Sequence, residues 1–448
     1  MGSSFAIVGA TLIDGTGGPP LPDSIVMVSS DRIVRVGRSS DISLPEHTPT
    51  VDGARKTLLP GLVDAHTHVG TKVATVDVIV DDKESFRETF LSWFPAHGIT
   101  TVRCTGMPDT TETFRLLKHG RPHWPRFFGC GQAIDGVPGG RWPGQIAVAD
   151  EEEARRETQR LLDLGVDFVK TYYHITPAQQ GAIVDTAHAG GRRVATHAGY
   201  VMTVEETVLC GVDAVEHVRV GRELVPEDKL PELTALPPRK HDQMMGFRAW
   251  RYIDPTSDRS ARLIELLVER GVFLTPTLAA TAAFLCGDSP DACNPDGMAD
   301  LPLPLQERWH KADNTAGYTG EDFRLAKVEF ERVMEWVGLA HRAGVPVSAG
   351  TDTPSEYLVP GRSLHVELEL LVKCGLSPLE AIVSATRRPA ELLNQQHELG
   401  TIEEGRYADL IMLARDPLTD IRNIRSVEKV WKGGMPLDAT PIVPKGDA

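Results

Sequence analysis

The sequence predicts an α/β fold: a (β/α)8 TIM barrel with a small β-sandwich domain built from both chain termini. Two observations predict it. Eight short apolar segments in the middle of the chain are each followed by a helix-like segment, which is the pattern of a parallel barrel. Short apolar segments separated by turn residues lie on either side of this repeat. We therefore expect a composite β domain over 1–58 and 399–448 and a barrel over 59–398.

The two ends of the chain have the pattern of short antiparallel strands. FAIVGATLI is followed by the turn sequence DGTGGPP and then by SIVMVSSDRIVRVG, which predicts a β-hairpin. A similar alternation returns in GTIEEGRYADLIMLARD and VEKVWKGG, after the last helical segment. The simplest interpretation is that both ends build one small β domain.

The barrel prediction rests on eight apolar segments, most of which end in a polar or small residue. They cover 62–68, 99–106, 126–134, 166–172, 193–198, 213–218, 272–278 and 345–352. The helix-like segments between them include EEEARRETQRLLDLG and RSARLIELLVERG, which both end in glycine, as helix C-termini prefer. An open doubly wound sheet is the alternative. It is disfavoured because no glycine-rich phosphate loop follows the first strand.

Composition and charge restrict the function. The chain has 448 residues, of which 41% are hydrophobic and 24% charged, as in ordinary soluble globular proteins. Its formal net charge of -15 and its lack of a basic run argue against nucleic-acid binding. The first residues lack the pattern of a secretory signal and no window approaches transmembrane length, so we expect no membrane partner. Six cysteines without CxxC spacing suit reduced thiols, and we expect a cytoplasmic protein.

Residues of the types that bind metals close several of the apolar segments. Catalytic groups of a parallel barrel lie at the C-terminal ends of its strands, so these residues should converge on one cavity. One HxH pair is weak evidence in a chain with 15 histidines. Two histidines spaced two apart in a strand point the same way, however, and other strand ends add imidazole and carboxylate. The residues are His66, His68, Lys170, His197, His217 and Asp352.

Several of these segments also resemble those of one enzyme family. They are LLPGLVDAHTH at 58–68, FVKTY at 168–172, ATHA at 195–198, AVEHV at 214–218 and AGTD at 349–352. Together with GATLIDGTG, GTIEEGRYADLIML and VWKGG near the ends, they are similar to the amidohydrolase superfamily, particularly its zinc-dependent prolidases and imidazolonepropionase-like members. The resemblance spans nearly the whole chain.

The resemblance implies a binuclear metal centre, with zinc as the expected metal and a carboxylated Lys170 as the bridging ligand. An ammonium group beside two divalent cations is strongly disfavoured, whereas a neutral lysine amine can take up carbon dioxide and become an anionic ligand. The alternative for Lys170 is an ordinary paired or snorkelling lysine. The resemblance assigns His66, His68 and Asp352 to one cation, and His197 and His217 to the other.

The implied chemistry is hydrolysis by a metal-activated water. Two cations that share a water lower its pKa to near neutrality, and one of them can polarise the substrate carbonyl. Asp352 is suited to accept the proton of this water and pass it to the leaving nitrogen, as in the resembled family, and ligation alone is the alternative. Tyr200 is a catalytic candidate because it could donate to the carbonyl oxygen. The predicted substrate contacts are Arg141, Trp142, Tyr172 and Tyr200.

Two long segments, at about 219–260 and about 279–325, are candidates for lids over the barrel mouth. Their aromatic residues, with Trp142, suggest an apolar or aromatic substrate group, although such residues also pack against one another. The aromatic residues in question are Phe247, Trp250, Tyr252, Phe284 and Trp309.

We therefore expect a metal-dependent hydrolase that acts on an amide-type carbon–nitrogen bond of a small molecule, such as a peptide, N-acyl amino acid, carbamate, urea or lactam. A mononuclear deaminase shares the histidine and aspartate pattern but has no use for a bridging lysine, and it commonly carries Glu where this chain has Tyr200. A phosphotriesterase-like or lactonase activity and a non-catalytic scaffold are further alternatives. We also expect a homo-oligomer.

Overall fold

The structure is a computed structural model that describes residues 4–69, 83–106, 111–139, 144–199, 201–218, 221–234, 249–286, 297–301, 303, 306–307, 309 and 319–437. Its strands are β1 (Ser4–Leu12), β2 (Leu21–Ser29), β3 (Arg32–Arg38), β4 (Thr50–Asp52), β5 (Thr57–Pro60), β6 (Leu62–Thr67), β7 (Ile99–Cys104), β8 (Arg126–Gly129), β9 (Ala133–Gly136), β10 (Gln145–Val148), β11 (Phe168–Thr171), β12 (Arg193–Thr196), β13 (Ala214–Glu216), β14 (Phe273–Thr275), β15 (Leu410–Leu413), β16 (Val427–Lys432) and β17 (Met435–Leu437).

The α-helices in these ranges are α1 (Lys83–Ala96), α2 (Thr111–His119), α3 (Glu151–Leu164), α4 (Pro177–Ala189), α5 (Val204–Leu209), α6 (Leu230–Thr234), α7 (Asp258–Glu269), α8 (Leu278–Phe284), α9 (Gly320–Ala343), α10 (Arg362–Lys373), α11 (Pro378–Ser384) and α12 (Arg387–Leu392). Short 3-10 helices lie at Arg222–Leu224, Glu227–Lys229, Met298–Asp300 and Ile421–Arg425. Within the described part of the chain, no helix has the length and apolar character needed to cross a membrane.

Strands from both chain ends form one sheet. Its order is β17-β16-β15-β5-β1-β2-β3, and β4 pairs with β1. β15 runs antiparallel to β5 with Ile411 opposite Leu59, so the C-terminal strands join the N-terminal strands directly. An apolar cluster that includes Ile7, Ile33 and Trp431 packs on this sheet. The sheet is consistent with the predicted β-sandwich built from both termini.

The apolar segments in the middle of the chain form two parallel sheets. β6, β7 and β8 make up the first, and the second has the order β10-β9-β11-β12-β13-β14. The segment predicted as one strand at 126–134 is divided into β8 and β9. Gly131 between them has φ +65°, a left-handed conformation that glycine adopts easily, and beyond this turn β9 pairs with β11.

The eighth predicted segment, 345–352, is not a regular strand. Within 345–352 a single β-bridge joins Val347 to Leu274. A longer ladder does not form because Pro346 has no N–H to donate and because the backbone leaves the extended conformation at Asp352. The segment nevertheless lies between β14 and β6. Ser348 N donates to the carbonyl of Leu274 at 2.9 Å, and Ala65 N donates to the carbonyl of Ala349 at 2.9 Å.

Helix α3, which follows β10, has the predicted ends. α3 begins after Asp150, whose side chain accepts a hydrogen bond from Glu153 N, and it ends at Gly165 with φ +87°. The apolar face of α3, including Leu161, and that of α7, including Leu267, join the large cluster of buried residues around the parallel strands. This packing fixes the strands whose ends carry the candidate functional residues.

Three aromatic residues of the predicted lid segments pack against other parts of the protein. Trp250 is 0% exposed and its ring lies 6.3 Å from that of Trp336 on α9. Trp309 is 1% exposed, and its carbonyl accepts a hydrogen bond from the Tyr357 hydroxyl at 2.8 Å. Phe284 stacks on Phe323 at 5.8 Å. The suggestion of an aromatic substrate therefore gains no support from these side chains, because each packs against the protein itself.

Candidate metal centre

Carboxyl ends of parallel strands from both sheets meet at one place. His66 lies in β6 and Lys170 in β11, while His197 follows β12 and His217 follows β13. The ring of His217 lies 4.7 Å from that of His66 and 4.3 Å from that of His197, measured between centroids. The predicted convergence of these histidines is therefore present in the structure.

His66, His68 and Asp352 form a compact group that could hold a metal ion. One potential ligand atom from each lies within 4.8 Å of those of the other two. Asp352 Oδ1 is 2.9 Å from His68 Nε2 and 3.3 Å from His66 Nε2. Two imidazole nitrogens and a carboxylate oxygen are ligands that suit zinc and related divalent cations.

Hydrogen bonds at Nδ1 fix the rings of three imidazoles. His66 Nδ1 lies 2.6 Å from Glu216 Oε2, and His68 Nδ1 lies 3.1 Å from the carbonyl oxygen of Gly106. Both partners only accept, so Nδ1 of each ring donates, and Nε2 is the atom that faces the Asp352 carboxylate. His217 Nδ1 lies 2.6 Å from the Thr277 hydroxyl, which can also accept. An imidazole fixed in this way is prepared to bind a metal through Nε2.

Lys170 is the least satisfied charged group near these histidines. It is 1% exposed, and its Nζ has no hydrogen-bond partner among the described residues. Burial lowers the pKa of its amine to about 8. A buried lysine that is partly neutral and has no partner fits a group that is used as a ligand after carboxylation, because such a group would otherwise be costly to bury.

Asp352 is held as a carboxylate. Burial opposes its ionisation, but hydrogen bonds from His66 and His68 outweigh that effect and hold its pKa well below the usual range. Its backbone N–H donates to the carbonyl of His66 at 2.8 Å. The backbone φ of Asp352 is +64° and that of His217 is +63°, a left-handed conformation that is uncommon for non-glycine residues.

Sequence reasoning missed a buried ion pair beneath the histidines. Glu216 is 0% exposed and binds His66 through Oε2, while its Oε1 accepts from Arg103 Nη1 at 2.8 Å. Arg103 is also buried, donates to the carbonyl of Ala65 at 2.9 Å and lies over the Phe168 ring. A signal was available, since ITTVRC and DAVEHV each place one charge inside an apolar strand, and buried charges of opposite sign need each other.

A second missed group joins β6 to the segment that carries Asp352. The buried Asp64 carboxylate accepts from the Thr351 hydroxyl at 2.7 Å and from Thr351 N at 3.1 Å, and burial raises its pKa to about 7. Gly350 allows the close approach of the two segments, because a Cβ there would lie 2.7 Å from the Cβ of His66. These contacts fix the position of Asp352 relative to His66.

The predicted substrate contacts are only partly placed. The ring of Tyr172 lies 4.9 Å from that of His197, and the neighbouring Tyr173 ring lies 4.3 Å from it, so this pair of tyrosines borders the histidine cluster. Arg141, Trp142 and Tyr200 lie outside the described residues.

A model of the amidohydrolase family matches residues 57–437. The chain belongs to the amidohydrolase family. It is therefore a hydrolase that acts on carbon–nitrogen bonds. The match includes every candidate ligand of this amidohydrolase, from His66 to Asp352.

Similar proteins cover nearly the whole amidohydrolase chain. Ochratoxinase from Aspergillus niger is 24% identical over 505 residues, which cover 99% of this chain and 89% of that protein. Imidazolonepropionase from Rubrobacter xylanophilus is 25% identical over 425 residues, with 87% of this chain and 84% of that protein covered. The crystal structure of a prolidase candidate from Bifidobacterium longum has a TM-score of 0.70 and 26% identity, and 98% of this chain and 95% of that chain are covered.

Proposed function

We propose that this amidohydrolase cleaves an amide-type bond of a small molecule, such as a peptide, N-acyl amino acid, carbamate, urea or lactam, with the help of two divalent cations. The observation that carries the proposal is the group of His66, His68 and Asp352, whose ligand atoms lie within 4.8 Å of one another. The family and the similarity to proteins named ochratoxinase and imidazolonepropionase support a small-molecule substrate.

We assign the first cation to His66, His68 and Asp352 and the second to His197 and His217, and zinc is the proposed metal. The short distance between the His66 and His217 rings, 4.7 Å, supports two adjacent positions, as in two-metal hydrolytic sites. The buried Nζ of Lys170 supports its proposed role as the carboxylated bridge.

Asp352 is the proposed proton carrier. The bound cations supply a water that ionises near neutral pH and an electrophile for the substrate carbonyl. Asp352 Oδ1, which lies 2.9 Å from His68 Nε2, would accept a proton from a water activated by the cations and would then donate that proton to the leaving nitrogen. Tyr172 and, outside the described residues, Arg141, Trp142 and Tyr200 remain the proposed substrate contacts, with Tyr200 as the donor to the carbonyl oxygen.

We propose that the parallel strands close into the (β/α)8 barrel and that 1–58 and 399–448 form the separate β-sandwich domain. Closure is supported on both sides of the irregular eighth segment, by the bonds from Ser348 to Leu274 and from Ala65 to Ala349. It is also supported by the bond from Asp167 N to the carbonyl of Gly129, at 3.0 Å, which bridges the two parallel sheets. The cytoplasmic location and the homo-oligomer stay predictions.

A mononuclear deaminase is the second candidate. It is favoured by one observation: His66, His68 and Asp352 by themselves complete a site for a single cation. Such an enzyme would leave Lys170 as a free amine. The two candidates therefore differ in metal content and in the state of that side chain.

The test measures metal and hydrolysis on the same preparation. Elemental analysis should give two divalent cations per chain. A screen of N-acyl amino acids, dipeptides, carbamates and aryl amides should find at least one substrate. Its cleavage should stop when the metal is chelated and return when zinc is added. The variant His68→Ala should lose both metal and cleavage. One cation per chain, a free Lys170 amine and release of ammonia from heterocycles would instead establish the deaminase.

A further inference from the structure

Two adjacent imidazoles of the metal centre have different partners. His66 Nδ1 donates to a carboxylate, Glu216 Oε2, at 2.6 Å, whereas His217 Nδ1 faces the Thr277 hydroxyl at 2.6 Å. The distances are equal, so the difference is one of charge. A carboxylate behind an imidazole makes its other nitrogen a stronger ligand, and an uncharged hydroxyl does so less.

The carboxylate behind His66 is itself fixed. Glu216 is 0% exposed and uses its other oxygen to accept from Arg103 Nη1 at 2.8 Å. Arg103 is held in turn by the carbonyl of Ala65 at 2.9 Å and by the Phe168 ring, 3.9 Å below its guanidinium carbon. The orientation of His66 therefore depends on a rigid series of contacts across β7, β13 and β6.

The side chains around the two proposed cation positions also differ. His66 shares its position with His68 and the Asp352 carboxylate, which lies 2.9 Å from His68 Nε2. His217 shares its position with His197, which lies against the rings of Tyr172 and Tyr173. The His66 position thus has the Asp352 carboxylate beside it and the Glu216 carboxylate behind its imidazole, whereas the imidazole of His217 has a hydroxyl behind it.

We infer that Glu216, held by Arg103, is a positioning residue for the His66, His68 and Asp352 position, and that the two cations are consequently bound with unequal affinity. The inference rests on the proposed binuclear function. The cation at His66 is the tighter one, and the cation at His197 and His217 is exchangeable. Stepwise removal of metal should therefore pass through a species with one cation, held by His66, His68 and Asp352.

The experiment titrates the metal-loaded protein with a chelator and counts the remaining zinc per chain. Native protein should lose its cations in two resolved steps. In Glu216→Gln the tighter step should weaken about 10- to 100-fold, which is the usual effect of removing a partner behind a metal-bound imidazole. In Thr277→Val the step that changes should instead be the weaker one, which removes the cation at His197 and His217. Anomalous diffraction from crystals with one zinc per chain should place that zinc beside His66 in the native protein.

A matched control separates this role from loss of a buried ion pair. Glu329 is a buried glutamate whose Oε1 accepts from Arg251 at 2.9 Å, and Glu329→Gln makes the same change in the helical shell. Both chelation steps should be unaltered in this control. If Glu216→Gln binds zinc as the native protein does, or if Glu329→Gln weakens the tighter step equally, the inference is wrong. If the native protein binds no second cation, the proposed binuclear function fails with it.

A second variant guards against unfolding of Glu216→Gln, which leaves the Arg103 charge buried without its partner. The double variant Arg103→Met with Glu216→Gln removes both charges, and such neutral replacements of a buried pair are often tolerated. It should fold and show the same selective weakening of the tighter step. A folded double variant with native zinc affinity overturns the inference.

Discussion

Charged side chains are buried both at the metal centre and at the contact between β8 and the sheet that both chain ends form, but these charges have different partners in the two regions. At the contact, the Asp409 carboxylate accepts from Arg126 Nε at 2.7 Å, from Arg126 Nη2 at 3.1 Å and from Gly433 N at 2.6 Å. At the centre, Lys170 Nζ is buried without a hydrogen-bond partner among the described residues. Charges at the contact hold two parts of the protein together, whereas His66, His68 and Asp352 at the centre form a group that could hold a metal ion.

The contact is further supported by stacking. Tyr407 lies between two guanidinium groups, with the Arg32 carbon 3.8 Å and the Arg126 carbon 3.9 Å from its ring centroid. Lys432 donates to the carbonyls of Arg121 and Trp124. Because these cations have protein acceptors or aromatic faces, changes here should affect stability and leave the chemistry alone.

The largest difference between the two regions should appear when an aspartate is replaced by asparagine in each of them. At the metal centre this variant is Asp352→Asn. We expect turnover to fall by about three orders of magnitude, because an amide cannot accept a proton near neutral pH. Much of the metal should remain, since the amide oxygen still coordinates and the other ligands are unchanged. Turnover and metal per chain are measured on one preparation. Near-normal turnover with full metal would mean that Asp352 carries no proton.

A change of the buried lysine should affect metal and activity together. In Lys170→Ala, zinc content and turnover should both fall, because the proposed bridge between the cations is lost. A short carboxylic acid in the buffer should partly restore both, by supplying the missing oxygen ligand. The matched variant is Lys432→Ala at the contact, which should lower the melting temperature with zinc content unchanged. Retention of two zinc ions in Lys170→Ala would contradict the bridging role.

The same aspartate substitution at the contact should have the opposite profile. Asp409→Asn removes a carboxylate that pairs with Arg126 through two bonds, and we expect the free energy of unfolding to fall by about 2 to 3 kcal/mol. Turnover per folded molecule should match that of the native protein. Urea denaturation and steady-state kinetics measure the two effects. A loss of turnover comparable to that of Asp352→Asn would erase the distinction between the regions.

A buried carboxyl group should also make the stability of the protein depend on pH. Glu367 is 0% exposed, its Oε2 accepts from Ala279 N at 2.6 Å, and burial raises its pKa to about 8. The folded protein therefore keeps this proton up to about pH 8, while the unfolded chain loses it above the ordinary pKa of a glutamate. Its contribution to stability is full below that ordinary pKa and is lost as the pH rises towards about 8.

Glu367→Gln should remove this part of the pH dependence, because glutamine resembles the protonated acid and does not titrate. The decline in melting temperature between about pH 5 and about pH 8 should be shallower in the variant. Glu329→Gln, in which a buried carboxyl group paired with Arg251 is replaced, is the control. An equal slope in the native protein and Glu367→Gln would show that Glu367 is ionised in the folded state.

The sequence predicted the parts of the molecule that periodicity and residue type determine. Seven of the eight apolar segments contain strands, and the candidate ligands at their ends come together because parallel strands place their carboxyl ends on one side. The eighth segment was wrongly predicted to be a regular strand, because Pro346 and the turn at Asp352 interrupt the ladder of hydrogen bonds. The flanking strands β14 and β6 still hold the segment in place. Local pattern alone does not reveal pairing that the flanking strands impose.

Partners of the ligands could not be predicted from spacing. Glu216 and Arg103 are 113 positions apart, and their contact depends on which strands lie side by side. The aromatic lid residues were ambiguous for the same reason, because Trp250 and Trp309 look alike in the sequence whether they face a substrate or the core. Their burial is decided by tertiary packing against α9 and the segment of Tyr357.

The backbone at His217 and Asp352 links metal supply to the lifetime of the protein. Left-handed conformations at non-glycine residues cost on the order of 1 to 3 kcal/mol each, and both residues adopt them, with φ of +63° and +64°. If these side chains bind cations as proposed, the cations would stabilise only the conformation that contains them, and native-state stability would rise with the logarithm of the free metal concentration. In a cell short of metal, the chain would unfold more often and reach proteases sooner, and its abundance would then report metal availability.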